Sequence, residues 1–207
     1  MVERDERQIN SLIRLIEDML DVSRIRTGKL SIRPRSVDLA TLVEDLVERF
    51  AAQATALDTR IELTRCEPLH GEWDELRIEQ VLANLLSNAL RYGDRRPVQV
   101  RAFEQYGMAC VQVQDHGIGI SAANQARIFH QFERVSAQQA SGGLGLGLSI
   151  SEQIVLAHGG RSRVGTYEGR GAAFSLLVPL ASACLPSISP HSTSALSWRH
   201  LRNLLYS

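Results

Sequence analysis

From about Arg7 to Arg26 apolar residues recur at spacings of three and four: Ile9, Leu12, Ile13, Ile16, Met19 and Leu20, interleaved with Arg14, Glu17 and Asp18. That period places one apolar stripe along a long helix, and Thr27-Gly28 supplies a stop signal. The stripe needs something to pack against. Its positions fit a heptad seam with another helix, and they also fit an ordinary surface helix lying on its own domain. Residues 29–37, with Pro34, read as an extended connection. Asp38 then caps a second helix in which Leu39, Leu42, Val43, Leu46, Val47 and Phe50 share a face. Arg60 to Thr64 alternates as a strand does. From Glu72 to about Tyr92 the helical period returns, with Ile78, Val81, Leu82, Leu85 and Ala89 as the core face.

The period then drops to two. In Val98–Phe103, Val98, Val100 and Ala102 alternate with Gln99 and Arg101; in Ala109–Asp115, Val111 and Val113 alternate with Gln112 and Gln114. Each is a strand with one buried face. A short helical piece near Asn124–His130 and a helix from about Leu146 to His158 follow. Two last strands, near Arg161–Thr166 and Ala173–Val178, are joined through Gly169 and Gly171. Strands with helices packed on one face make an α+β fold, a two-layer α/β sandwich, here preceded by one long N-terminal helix. After Pro179 the composition turns Ser- and Pro-rich, as a disordered tail does. Within it Trp198, Leu201 and Leu205 share one side of a short basic segment, either a contact for a membrane or partner or simply a solvated end.

Composition narrows the function. The chain has 207 residues, room for one ordinary domain plus an appendage, and 44% hydrophobic content, enough for a core. Lys+Arg and Asp+Glu both number 23, which leaves no electrostatic case for nucleic acid, and aromatics at 5% argue against base-stacking surfaces. Cys66, Cys110 and Cys184 lie far apart with no CxxC pair, so they read as reduced thiols rather than a disulfide or zinc framework. No apolar run reaches the ~18–20 residues of a bilayer span, and the charged start MVERDERQIN lacks a signal peptide's apolar stretch. A cytoplasmic protein is expected.

Four segments carry candidate chemistry, in a fixed order. In NLLSNALRYG, Asn84, Asn88 and Arg91 lie on one helical stripe beside the apolar one. A side-chain amide oxygen is a hard ligand suited to Mg²⁺, Arg91 can pair with phosphate oxygens, and Tyr92 offers a ring at the helix end. The same stripe also serves as a plain solvent-facing side. In DHGIGIS, Asp115 ends a buried strand ahead of Gly117 and Gly119. A carboxylate there can accept the amino group of adenine, whereas guanine would set acceptor against acceptor at a penalty on the order of 1–3 kcal/mol. An ordinary Gly-containing turn is the plainer alternative. Gly142, Gly143, Gly145 and Gly147 crowd the start of the Leu146–His158 helix, where bare amides and a helix N-terminus suit an anion. The spacing is not that of a P-loop. Between them, FHQFERVSAQQAS has Phe129 and Phe132 as anchors for a polar segment, Ser136–Ser141, able to fold over ligand as a lid. Phenylalanines three apart also serve as core.

Together these segments resemble the catalytic, ATP-binding domain of sensor histidine kinases in two-component signal transduction: Asn84–Tyr92 looks like the N box, Asp115–Gly119 the G1 box, Phe129–Arg134 the F box and Gly143–Ser149 the G2 box. His158-Gly159-Gly160 and Gly171–Pro179 also fall where the family has similar sequences. The resemblance covers roughly residues 37–180 and implies a Bergerat-type ATP-binding fold. Residues 1–30, with DMLDVSRIRTGKL, are similar to the second helix of the family's dimerisation and phosphotransfer hairpin, and 181–207 is left as tail.

By that resemblance Asn88 holds Mg²⁺, Asn84 and Arg91 line the phosphates of ATP, and Tyr92 flanks the base. Asp115 selects adenine, with Gly117, Gly119 and Ile120 around it. Phe132 belongs to the lid, and Gly143, Leu144, Gly145, Leu146, Gly147 and Leu148 form the phosphate loop. Related ATPases carry glutamate as a water-activating base where this chain has Asn84, so slow hydrolysis is expected. Arg91 stands where lysine is commoner and His116 where asparagine often sits. The family's phosphoacceptor motif, like H-E-x-R-T-P, is missing. His70, His116, His130 and His158 lie within the ATP domain, and His191 and His200 in the tail.

The expectation is therefore the ATP-binding portion of a histidine kinase truncated before its phosphoacceptor helix. Such a chain would not autophosphorylate alone. It would form a homodimer or take a helix from an intact kinase (itself able to be membrane-anchored), and signal onward to a response regulator. Two rivals remain: a non-catalytic ATP-binding regulator of other kinases, and an anti-sigma-type serine kinase, which shares the fold but against which the helix of residues 7–30 argues.

Overall fold

The computed structural model describes residues 2–125, 127–130, 145–166 and 169–180. Helix α1 (Val2–Arg26) leads into β1 (Arg35–Asp38), α2 (Leu39–Ala56), β2 (Ile61–Cys66), β3 (His70–Trp73) and α3 (Glu75–Tyr92). The second half runs β4 (Val98–Gln105), β5 (Met108–Gln114), α4 (Ala122–Gln125), α5 (Gly147–Ala157), β6 (Arg161–Thr166) and β7 (Ala172–Pro179). Five strands form one sheet in the order β2-β4-β5-β7-β6, antiparallel except for the parallel β2–β4 pair.

Helices α2, α3 and α5 pack on one face of that sheet. The period-two strands bury Val98, Val100, Ala102, Ala109, Val111 and Val113 beneath Leu42, Leu46, Ile78, Leu82, Leu85, Ile150 and Ile154. This is the expected two-layer sandwich. Its layers are sealed by the non-polar inner face of β7, where Phe174, Leu176 and Val178 lie opposite Val113, Val111 and Ala109.

Three local differences from the sequence reading have physical causes. The helix expected from Glu72 begins at Glu75, because Asp74 is its N-cap and accepts from Arg77 N at 3.2 Å. Glu72 and Trp73 belong instead to β3, which pairs antiparallel with β1 inside the stretch read as an extended connection. Trp73 is buried and its Nε1 donates to Pro179 O at 2.9 Å, tying this small ribbon to the end of β7. The short helix near Asn124–His130 starts earlier, as α4, and residues 127–129 form a turn.

Helix α1 ends where Thr27-Gly28 indicated. Gly28 has φ +65°, and Lys29 N donates to Arg24 O at 2.8 Å. The apolar stripe of α1 does not fold back on the domain: Ile9, Leu12, Ile13, Ile16, Met19 and Leu20 are 49% to 58% exposed. Among the described residues no helix is long and apolar enough to cross a membrane.

Candidate functional site

Three described pieces of chain make up the candidate site. Helix α3 brings Asn84, Asn88, Arg91 and Tyr92. Asn84 is buried, the other three half-buried. Asn84 Nδ2 donates to Ser151 Oγ on α5 at 3.0 Å. A Cβ on Gly147 would stand 2.3 Å from Asn84 Oδ1, so glycine is what lets the start of α5 approach α3 this closely. The Arg91 guanidinium lies over the Tyr92 ring, 5.6 Å from its centroid.

Asp115 follows β5 and extends its pairing with β7 by one step, its N–H donating to Ala172 O at 2.8 Å. Its side chain turns inward, where Oδ1 accepts from Gly117 N at 2.9 Å and from Ala172 N at 3.2 Å. Burial pushes this carboxyl above the usual range, against the pull of those two amides and of His116. The turn after it is built against backbone. A Cβ on Gly117 would meet Tyr92 O at 1.7 Å, which locks Asp115 to the end of α3.

Several residues that support this turn were not singled out from sequence. Thr166 Oγ1 accepts from Ile120 N at 2.9 Å and donates to Gly171 O at 2.8 Å. Gln125 Nε2 donates to Ile120 O and to Thr166 O, each at 3.3 Å. His116, which the sequence did mark, faces Pro97 O through Nδ1 at 3.0 Å. A lone Thr or Gln carries no periodicity signal, and only the folded chain brings these into reach of residues 117–120.

The third piece is the start of α5. Leu146 precedes its first turn without a side-chain capping bond, and Gly145 has φ +71°. Leu146 itself is buried, and Leu148 packs partly against the core, so what this segment offers outward is backbone. Phe129 likewise packs against the core. Of the residues expected at the site, Asn84, Asn88, Arg91, Tyr92, Asp115, Gly117, Gly119, Ile120, Gly145, Leu146, Gly147 and Leu148 are described. Phe132, Gly143 and Leu144, with the rest of the expected lid, lie outside the described residues, as do Cys184 and the tail. Among the described residues there is no cluster of three or more His, Cys, Asp or Glu able to hold a metal.

These pieces set a buried acceptor, Asp115, against the end of α3 and the start of α5 against Asn84, with the Arg91 guanidinium over Tyr92. The sequence profile of the histidine kinase-, DNA gyrase B- and HSP90-like ATPases matches residues 73–182, just over half of the chain. The chain belongs to this ATPase family. Its relatives include a sensor protein and sensor histidine kinases. It is 34% identical over 182 residues to the alginate biosynthesis sensor protein KinB of Pseudomonas aeruginosa, covering 87% of this chain and 30% of that protein. It is 31% identical over 192 residues to the sensor histidine kinase MtrB of Mycolicibacterium paratuberculosis, covering 89% of this chain and 34% of that one. The chain thus spans about a third of the length of these relatives.

Solved structures give the same family. Full-length ShkA in complex with AMPPNP superposes with a TM-score of 0.72 at 28% identity, over 85% of this chain and 37% of that one. The mycobacterial sensor histidine kinase MprB superposes at 0.64 and 27% identity, over 71% of this chain and 99% of that one. The ATPase-family domain here is accordingly the ATP-binding, catalytic kind found in sensor histidine kinases, a helix-covered five-stranded sheet.

Proposed function

We propose that the pocket binds Mg-ATP and that the chain serves as the catalytic portion of a two-component histidine kinase, passing the γ-phosphate to a histidine on another helix. The observation that carries this reading is Asp115. Both of its amide hydrogen bonds fall on Oδ1, which leaves Oδ2 for a donor from outside, such as the amino group of adenine. Tyr92 and Ile120 border the base. Arg91 and the open amides of residues 145–147 meet the phosphates by charge and by hydrogen bonding. Asn88 is the residue suited to hold Mg²⁺: a single amide oxygen fits a cation that keeps its waters and is shared with phosphates. Bound there, Mg²⁺ supplies charge neutralisation to the phosphates.

Asn84 is engaged with Ser151, and an amide cannot take a proton from water at neutral pH. The residues on α3 therefore position ATP without activating water, which preserves the γ-phosphate for transfer. Residues 37–180 form the ATPase unit in this reading. Residues 1–30 supply one helix of the dimerisation hairpin, with the exposed stripe of α1 meeting a second copy or an intact kinase, and a response regulator acts downstream. The test is calorimetry with Mg-ATP and Mg-GTP, followed by transfer of γ-label to an added histidine-bearing hairpin. ATP binding with weak GTP binding, and acid-labile label on the hairpin, is expected; absence of ATP heat sinks the reading.

A further inference from the structure

The exposed stripe of α1 ends abruptly at Asp21, which is only 3% exposed. Its Oδ2 accepts from Arg77 Nη1 at 2.7 Å and from Gln80 Nε2 at 2.9 Å, while Gln80 Oε1 accepts from the same Arg77 nitrogen at 2.8 Å. Arg24 Nη1 lies 3.5 Å from Oδ1. Val22, Ile25 and Leu30 pack partly against the core around this cluster. An ion pair is a poor adhesive here, since burying two charges consumes most of what their attraction returns. What it adds over an apolar contact is direction: the carboxylate is satisfied only where both donors converge on it.

Arg77 and Gln80 lie in the first turns of α3, and those turns are themselves held. Asp74 accepts from Arg33 N at 2.8 Å in the linker after α1. The Asp74 N–H donates to His158 Nε2 at 3.0 Å, and His158 Nδ1, which then carries the proton, donates to Ile154 O at 2.8 Å in α5. Along α3, Arg77, Gln80, Asn84, Asn88 and Arg91 follow one another at spacings of three and four, a single stripe that runs from this joint to the pocket.

We propose that Asp21 is a positioning residue: held by Arg77 and Gln80, it latches the angle at which α1 leaves the ATPase domain and so sets where the exposed stripe stands relative to the pocket at the far end of α3. The consequence for phosphotransfer rests on the function proposed above; the latch itself does not. The test is hydrogen exchange on the full chain without nucleotide, for Asp21→Asn, Arg77→Met and Arg77→Lys. The first two are expected to lose about tenfold or more of the protection of amides 18–26, with amides 98–114 within about twofold of the parent. Arg77→Lys keeps a charge where one nitrogen makes both bonds, and is expected to retain most of the protection. Unchanged protection in either of the first two variants overturns the proposal, as does a parallel loss in the sheet, which would make the cluster part of the domain fold. A Lys variant that behaves like Met overturns the charge assignment. Because no nucleotide enters, a pocket that failed to bind Mg-ATP would leave this result standing.

Discussion

Asp21 at the joint and Asp115 in the pocket are buried to nearly the same degree, 3% and 5% exposed, and burial pushes both carboxyls upward. At Asp21 the push is overcome by hydrogen bonds from Arg77 and Gln80 and by the charges of Arg77 and Arg24, so the group settles below its ordinary range. At Asp115 the opposing bonds come from two backbone amides, with His116 nearby, and burial prevails. Their partners differ. A carboxylate answered by a guanidinium and an amide is a fastening; one answered on a single oxygen by neutral donors retains a demand that a ligand can meet.

The comparison can be broken most severely at Gly117. There a methyl group would meet the Tyr92 carbonyl oxygen at 1.7 Å, so Gly117→Ala is expected to destabilise the domain by about 1–3 kcal/mol or more while weakening nucleotide binding. Denaturant unfolding paired with calorimetry reads both, and a parent-like midpoint would mean that the turn holding Asp115 yields easily. Asp115→Asn comes next, with ATP affinity expected to fall about 10- to 100-fold as the acceptor becomes a donor. Stability should move the other way. A carboxyl whose folded pKa is raised favours folding below its unfolded pKa, and that contribution is lost as pH rises through the folded value. The amide variant is therefore expected to unfold no more easily than the parent at neutral pH, as a thermal melt would register.

Acid separates the two carboxylates. The lowered pKa of Asp21 contributes stability that is present above its unfolded value, about 3.9, and is lost as pH falls through the lower folded one. Exchange protection at the end of α1 should hold at about pH 5 and decline below about pH 4, while protonation of Asp115 works in favour of its own surroundings. An NMR titration that loosened the pocket before the joint would contradict this. The smallest effect belongs to the outer part of α1. Ile16 is 52% exposed, so Ile16→Ala in a monomeric sample should shift unfolding by no more than about 0.5 kcal/mol, yet it should weaken self-association or capture of a helical partner in sedimentation experiments.

Much of the fold was legible because its elements are long and strongly patterned. Helix α2 with its Asp38 cap, the core face of α3, and strands β4 and β5 follow periods of 3.6 and 2. The β1–β3 ribbon was not legible. Each strand has only four residues, and their pairing joins Arg35 to Trp73 and Asp38 to His70 across a long separation that no local period records. In the candidate site, Asn84, Asp115 and the glycines announce themselves by residue type and spacing. Thr166 and Gln125 do not, because each acts through contacts to backbone atoms that only the fold brings near.

The amino-acid sequence by itself determined which faces are apolar, where α1 stops and α2 starts, and which polar residues ride together on α3. Those properties follow from local backbone geometry and the period of side chains along it. Only the tertiary structure decided what each face meets: that the apolar stripe of α3 is sealed against the sheet while that of α1 stays open, and that Asp21 finds Arg77 while the carboxylate of Asp115 is hydrogen-bonded by backbone amides. Partnership of this kind is a long-range property, because the charge or dipole that satisfies a buried group comes from chain dozens of residues away and is placed by packing rather than by sequence neighbours.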